Sequence, residues 1–149
     1  MAIDEKRIDF VYSPLDLTVS TGSSTGAAVP LASVAAGSAS IRNICKRVQI
    51  SMSTSSASVQ VPVTIQLFDG ASSTGTVLST WQATPAAASG LSQNPVVLDF
   101  DNLHIRGTAA TAMALSGPVG GAAGTLIGLN LHTYQFPRQP TGVALNANS

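Results

Sequence analysis

The sequence predicts an all-β fold: an antiparallel β-sandwich, jelly-roll or Greek-key, of about eight short strands with an extended arm at each end. Three observations lead there. Apolar residues recur with period two in several separate runs, the 3.6-residue spacing of amphipathic helices is missing although Ala is plentiful, and Gly, Ser, Thr and Pro clusters separate the runs. At 149 residues the chain makes one domain, large enough to bury about two thirds of its unfolded surface.

The elements follow in order. Short β-prone runs cover Ile8 to Tyr12, Leu15 to Val19 and Ala27 to Val34. Val48, Ile50 and Met52 alternate with Gln49 and Ser51, and Ser53 to Ser58 reads as a polar connection. Val59, Val61, Val63, Ile65 and Leu67 alternate with polar neighbours and make a long half-buried strand. Pro62 lacks a ladder donor, so this strand is expected at a sheet edge or with a bulge. It closes on Asp69-Gly70, a strong turn pair. Val77 to Trp81 is the next strand, and Val96, Leu98 and Phe100 mark another. Between them one short helix fits, with Thr84 as cap, Pro85 in its first position and Gly90 closing it. Thr108 to Leu115 suits strand or helix, and Ala109 to Leu115 is taken as strand; Gly117 to Gly124 reads as a flexible loop. Ile127, Leu129 and Leu131 then face one way, with Asn130, His132 and Tyr134 facing the other.

Composition excludes several functions. Hydrophobic residues make up 44% and charged residues only 9%, the reverse of a disordered chain. Seven basic and seven acidic residues cancel, so no long-range field draws in nucleic acid. The charged start Asp4-Glu5-Lys6-Arg7 does not suit a secretory signal, and no apolar run approaches the ~20 residues that span a bilayer. The expectation is synthesis in a cytoplasm, with no membrane and no nucleic acid as partner. A single cysteine, Cys45, has no internal disulfide partner and reads as a small buried side chain.

Charge is also unevenly placed. Asp4, Glu5, Lys6, Arg7 and Asp9 crowd the first nine positions, leaving nine charges for the other 140. At the other end Phe136-Pro137-Arg138-Gln139-Pro140 opens a stretch without periodicity. The chain therefore divides into an N-terminal arm (1–12), a sandwich (13–135) and a C-terminal extended tail (136–149). The arms either fray or are ordered by a partner. In the second case Asp4, Glu5, Lys6, Arg7, Asp9, Phe136 and Arg138 are the partner-binding residues.

Catalytic patterns are weak. Gly22-Ser23-Ser24-Thr25-Gly26 matches Gly-x-Ser-x-Gly, but no helix pattern follows to lift the serine as a nucleophile elbow requires. Ser24, His132 and Asp101 make a triad only on paper. His104, His132 and Cys45 are unclustered and do not assemble zinc ligands. Asp99, Asp101 and Asn102 resemble part of a calcium loop but lack its Gly and distant Glu, and read as a strand end. No phosphate-binding glycine motif occurs. The expectation is no enzyme, with no catalytic residue, cofactor or metal. Carbohydrate binding needs exposed aromatic platforms, for which Tyr12, Trp81 and Tyr134 are the candidates, each in a run where burial is the simpler reading.

A resemblance adds to this. Arg47 to Ser51, Val63 to Gly70, Gly75 to Leu78, Val97 to Phe100 and Gly128 to Tyr134, in that order, look like small virion proteins of tailed double-stranded DNA bacteriophages. Within that group the jelly-roll capsid cement, or decoration, proteins are most similar. The resemblance covers roughly residues 40 to 135 and lies in strand order and turn placement. It implies a structural virion protein on the outer capsid surface that binds the major capsid protein and its own copies, a homodimer or a trimer. Tail-spike or fibre domains and carbohydrate-binding β-sandwich modules are the alternative readings.

Overall fold

A computed structural model describes residues 17–25, 29–54, 61–85, 96–119 and 125–137. Nine strands run through them: β1 (Thr18–Thr25), β2 (Ala32–Val34), β3 (Arg42–Thr54), β4 (Val63–Asp69), β5 (Thr76–Ala83), β6 (Val96–Phe100), β7 (Ile105–Arg106), β8 (Met113–Val119) and β9 (Thr125–Phe136). One sheet has the order β1-β9-β3-β6, with the two-residue β7 also beside β3; the other has the order β2-β8-β4-β5. Every pairing is antiparallel.

The pairings nest: β1 with β9, β2 with β8, β3 with β6 and β4 with β5. A long antiparallel hairpin rolled across two sheets gives this order, which is the jelly roll among the two topologies the sequence allows. Two layers form because each strand buries one face. Val48, Ile50 and Met52 of β3 and Ile127, Leu129 and Leu131 of β9 meet Val63, Ile65 and Leu67 of β4 and Met113 and Leu115 of β8. Each contributes roughly 1.5–3 kcal/mol by leaving water. The open sides are closed differently. On one, Ser20 Oγ of β1 accepts from Ser33 N of β2 at 2.9 Å. On the other, Trp81 of β5 stacks on Phe100 of β6 with ring centroids 5.6 Å apart.

One end of the sandwich is tied by polar groups. The Asp69 carboxylate accepts from Thr108 N at 3.0 and 3.1 Å and from the Thr108 hydroxyl. Gly70 N donates to Ala112 O at 2.8 Å, and Gly70 has φ +155°, which glycine alone adopts readily. Asn43 is fully buried, and its Nδ2 donates to Ala35 O at 2.9 Å and Thr111 O at 3.2 Å. The loops before β3, after β4 and before β8 are thus held as one unit.

Several sequence expectations need correction. The strand containing Pro62 lies in the interior of its sheet, between β8 and β5; Pro62 precedes its first residue and so removes no ladder donor. The register shifts in β4 fall instead at Thr64/Gln66 and Leu67/Phe68. β3 extends from Arg42 through Thr54, beyond Val48 to Met52 and into the expected polar connection, because β9 pairs with it along that length. β8 starts at Met113, with a turn at Ala109 and Ala110, and includes Gly117, Pro118 and Val119, which the sequence assigns to a loop. Of the run Ala27 to Val34 only Ala32–Val34 is strand, and β1 continues to Thr25 through Ser and Thr alone after Val19 and Gly22. The runs Ile8 to Tyr12 and Ala86 to Gly90 lie outside the described residues.

Cys45 is a fully buried free thiol, as its sequence setting suggests. Burial pushes its pKa from an ordinary 9.0 up to about 12. The native state therefore keeps the proton while the unfolded chain releases it. Stability from this group is complete below pH 9 and is lost as pH rises towards about 12. In urea melts, the wild type should lose up to about 1.4 kcal/mol per pH unit in that window beyond any loss in Cys45→Val. Equal slopes for the two proteins would show that the thiol is not buried.

Candidate functional site

On the outer face of the first sheet, strand registers align side chains into rows. Val19, His132 and Arg47 form one; Thr21, Asn130, Gln49 and Asp99 the next; Ser23, Gly128, Ser51 and Val97 the third. These residues point outward because their strand neighbours Val48, Ile50, Leu129 and Leu131 fill the core.

A charged network crosses the first two rows. Arg47 Nε donates to Asp99 Oδ1 at 2.8 Å and Arg47 Nη2 pairs with Asp99 Oδ2, a two-point fork. Gln49 Nε2 donates to Asp99 Oδ2 at 3.2 Å, while Gln49 Oε1 lies 3.2 Å from His132 Nε2 and 3.5 Å from Asn130 Nδ2. The Arg47 guanidinium, aided by Gln49, holds the Asp99 carboxyl down to about 2. Partial burial and then the Arg47 charge lower the His132 pKa, so the imidazole resists protonation. The side chains engage one another across β9, β3 and β6.

Charge is segregated along the sandwich. Between positions 17 and 137 the charged residues are Arg42, Lys46, Arg47, Asp69, Asp99, Asp101 and Arg106. All lie in the middle rows or at the end tied by Asp69 and Asn43. Towards the opposite end, where Thr25, Thr54, Val63, Ala83, Val96 and Thr125 begin or finish strands, the described strands carry none. The sequence segments 26–31, 55–62, 84–95 and 120–124 also contain no Asp, Glu, Lys, Arg or His. The outer face of the second sheet is uncharged too, with Gln82 bonded to Thr64 at 3.2 Å and Gln66 to Thr80 at 3.3 Å.

A shallow hollow of about 480 Å³ opens on the uncharged half of the first sheet. Gly128 lies on its floor between Ser23 and Ser51, and the Ser51 hydroxyl leans over it, 3.5 Å from Gly128 O. Beside it stand two outward apolar side chains, Leu126 at 41% exposure and Val97 at 61%.

The residues singled out in the sequence are dispersed. Ser24 pairs with Ile127, five positions along β9 from His132, or about 17 Å at strand rise, so no triad forms with it. Gly22 serves packing: a Cβ there would lie 2.5 Å from Leu31 O. Asp101 Oδ1 accepts from Asn102 N at 2.7 Å, a local strand-end bond. His104 is exposed, with Nδ1 3.4 Å from the Tyr134 hydroxyl. Trp81 gives a ring face to Phe100, and Tyr134 is half-buried. Among the described residues no three His, Cys, Asp or Glu side chains converge on a metal-sized site, and no helix is long and apolar enough to cross a membrane. Phe136 ends β9 opposite Arg42 and is exposed. Asp4, Glu5, Lys6, Arg7, Asp9, Arg138 and Tyr12 lie outside the described residues. Sequence reading missed the Arg47–Asp99 pair; its only trace is a carboxylate at a polar position of an alternating strand.

No protein-family profile and no curated protein matches this chain. Among solved structures, it is similar to a chain of "Cyanophage Pam1 capsid asymmetric unit", at 15% identity and TM-score 0.42, covering 80% of this chain and 85% of that one. It is also similar to a chain of "CBM4 structure and function", at 10% identity and TM-score 0.36, covering 78% and 92%.

Proposed function

We propose that this chain is a structural virion protein that binds the outer surface of a phage capsid and cements neighbouring major capsid subunits. The observation that carries the reading is the charge segregation: among the described residues one half of a small sandwich is uncharged. A free monomer of this size gains solubility from surface charge, whereas the centres of protein interfaces are depleted of it. The likeness of residues 40 to 135 to jelly-roll decoration proteins supports the same reading. The reading needs no turnover, and the described polar groups bond to one another in a surface network. Trp81, one candidate platform for a carbohydrate module, instead gives a ring face to Phe100.

In this mechanism the ionic N-terminal arm gives register. Exposed ion pairs contribute only ~0–1 kcal/mol each, so holding strength comes from apolar burial and from many copies engaging one symmetric shell. The test is re-addition of purified protein to shells that lack it. Wild type should bind to a fixed ratio per capsid subunit and raise the temperature at which shells open. A variant lacking residues 1–9 should bind far less while its own thermal melt stays unchanged. Equal attachment of both proteins would remove the arm from the mechanism, and no saturable binding of either would reject the cementing role.

A further inference from the structure

We propose that residues 8–16 of this chain dock across the charged end of the first sheet, on its outer face, where Leu17, Val19, Tyr134 and Phe136 stand beside Arg42 and Arg106. The docking is intramolecular and does not depend on the cementing role. It leaves Asp4, Glu5, Lys6 and Arg7 ahead of the docked stretch.

Register builds the surface. Val19 points outward beside His132, and Leu17, two positions earlier, comes level with Tyr134. Phe136 follows Tyr134 on the same face of β9 and pairs with Arg42, while Arg106 of β7 lies across β3 from Tyr134. Leu17, Val19 and Phe136 are 40%, 50% and 51% exposed. Apolar residues exposed singly are ordinary, whereas neighbours on one face make a patch that marks an interaction site.

Charge selects the occupant. Arg47 is engaged by Asp99 and Asp69 by Thr108, and among the described residues no carboxylate pairs with Arg42 or Arg106. Residues 8–16 carry two charges, Asp9 and Asp16, both negative. With them come Ile8, Phe10, Val11, Tyr12 and Leu15, apolar partners for the patch. The stretch 138–149 also leaves from this face, after Phe136, but its one charge is Arg138, the sign already present there.

Connectivity points the same way. Leu17 belongs to the patch, so the segment before it is tethered at the surface it would cover. β1, β9, β3 and β7 are successive neighbours, which sets Arg106 about 14 Å across the sheet from Leu17 at ~4.8 Å per strand. Five extended residues span about 16 Å, so the segment reaches both arginines with length left for a turn at Ser13-Pro14. A tether this short gives a local concentration in the millimolar range, far above that of a second copy at micromolar concentration.

Chymotryptic cleavage of the full-length protein, followed by mass spectrometry, is the test. Cuts after Phe10 and Tyr12 should come at least about a hundredfold slower than in a synthetic peptide of residues 1–16, because only undocked chain is cut. Arg42→Glu with Arg106→Glu should speed them about tenfold by setting like charges together, with unchanged circular dichroism. Asp9→Arg with Asp16→Arg should do the same, and the four changes combined should restore the slow rate. Val19→Ser with Phe136→Ser should also speed cutting about tenfold through lost apolar burial. Cutting as fast as in the peptide, or indifferent to the Arg42 and Arg106 changes, would overturn the inference. So would slow cutting that appears only at high protein concentration or only with shells present, which would give the face to a second copy or to a capsid subunit. Slow cutting that the charge swaps control, in a protein that does not bind shells, would uphold the docking and reject only the cementing role.

Discussion

Gly117→Ala is expected to abolish cooperative folding. A Cβ at this position would lie 1.9 Å from Thr64 O, 3.0 Å from Thr64 C and 3.3 Å from Ile65 Cα. All three are backbone atoms of β4, so no side-chain rotation relieves the clash. The close approach arises where β8 carries extra length against β4, between the pairs Gln66 with Ser116 and Thr64 with Val119. Accommodating a methyl group there means prising β8 from β4 in the middle of the second sheet, where Val63, Ile65 and Leu115 are buried. Ordinary overpacking costs 1–3 kcal/mol, and a backbone clash inside a ladder is expected to exceed about 3 kcal/mol. Thermal denaturation followed by circular dichroism is the measurement. A broad or vanished transition is expected for Gly117→Ala, whereas a midpoint within a few degrees of wild type would contradict the β4–β8 contact.

Asn43→Leu is expected to cost about 2–4 kcal/mol, mostly through what it leaves behind. Leucine matches the volume, but the carbonyls of Ala35 and Thr111 then lose their donor in a part-buried setting, and the fully buried amide that joined them is gone. Gln135 Nε2, which donates to Asn43 Oδ1 at 3.4 Å, loses its acceptor as well. The damage should concentrate at the tied end. Hydrogen exchange is expected to quicken at residues 35–41 and 107–112 before it changes in β9 and β3, because the Asn43 amide joins those two loops. Uniform acceleration across both sheets, or a loss under about 1 kcal/mol in urea melts, would contradict that role.

The fold was legible where strands bury aliphatic residues on one side only. β4, β6, β9 and the centre of β3 alternate visibly, and their alternation together with the absence of helical spacing sufficed for a two-layer β architecture. β1 was mostly hidden: Ser20 to Thr25 has no apolar rhythm, and the pairing of the whole strand with β9 holds it as strand. The Gly117-Pro118 pair reads locally as a loop, yet it is the bulged stretch of β8, where lacking a side chain lets two backbones touch. Pro62 misled for a related reason, since one residue separates a strand interior from the position before it.

The candidate surface was less legible because it is made by register. Arg47 and Asp99 stand 52 residues apart and meet only when β6 lies against β3. Asn43 resembles any surface asparagine until the loops on either side of it close. Low charge was plain from composition, but its absence from one end of the described strands appears only once β3, β6 and β9 are aligned. The crowded charges at Asp4 to Asp9 are a sequence feature from the start, and their role is tested by deletion rather than by geometry.

Quantitative mass spectrometry of density-banded virions produced with this protein tests the central claim most directly. A virion cement protein should co-band with intact particles at a fixed molar ratio to the major capsid subunit and remain on the shell when tails are removed. Its absence from the banded particles, or its departure with the tails, would contradict the account.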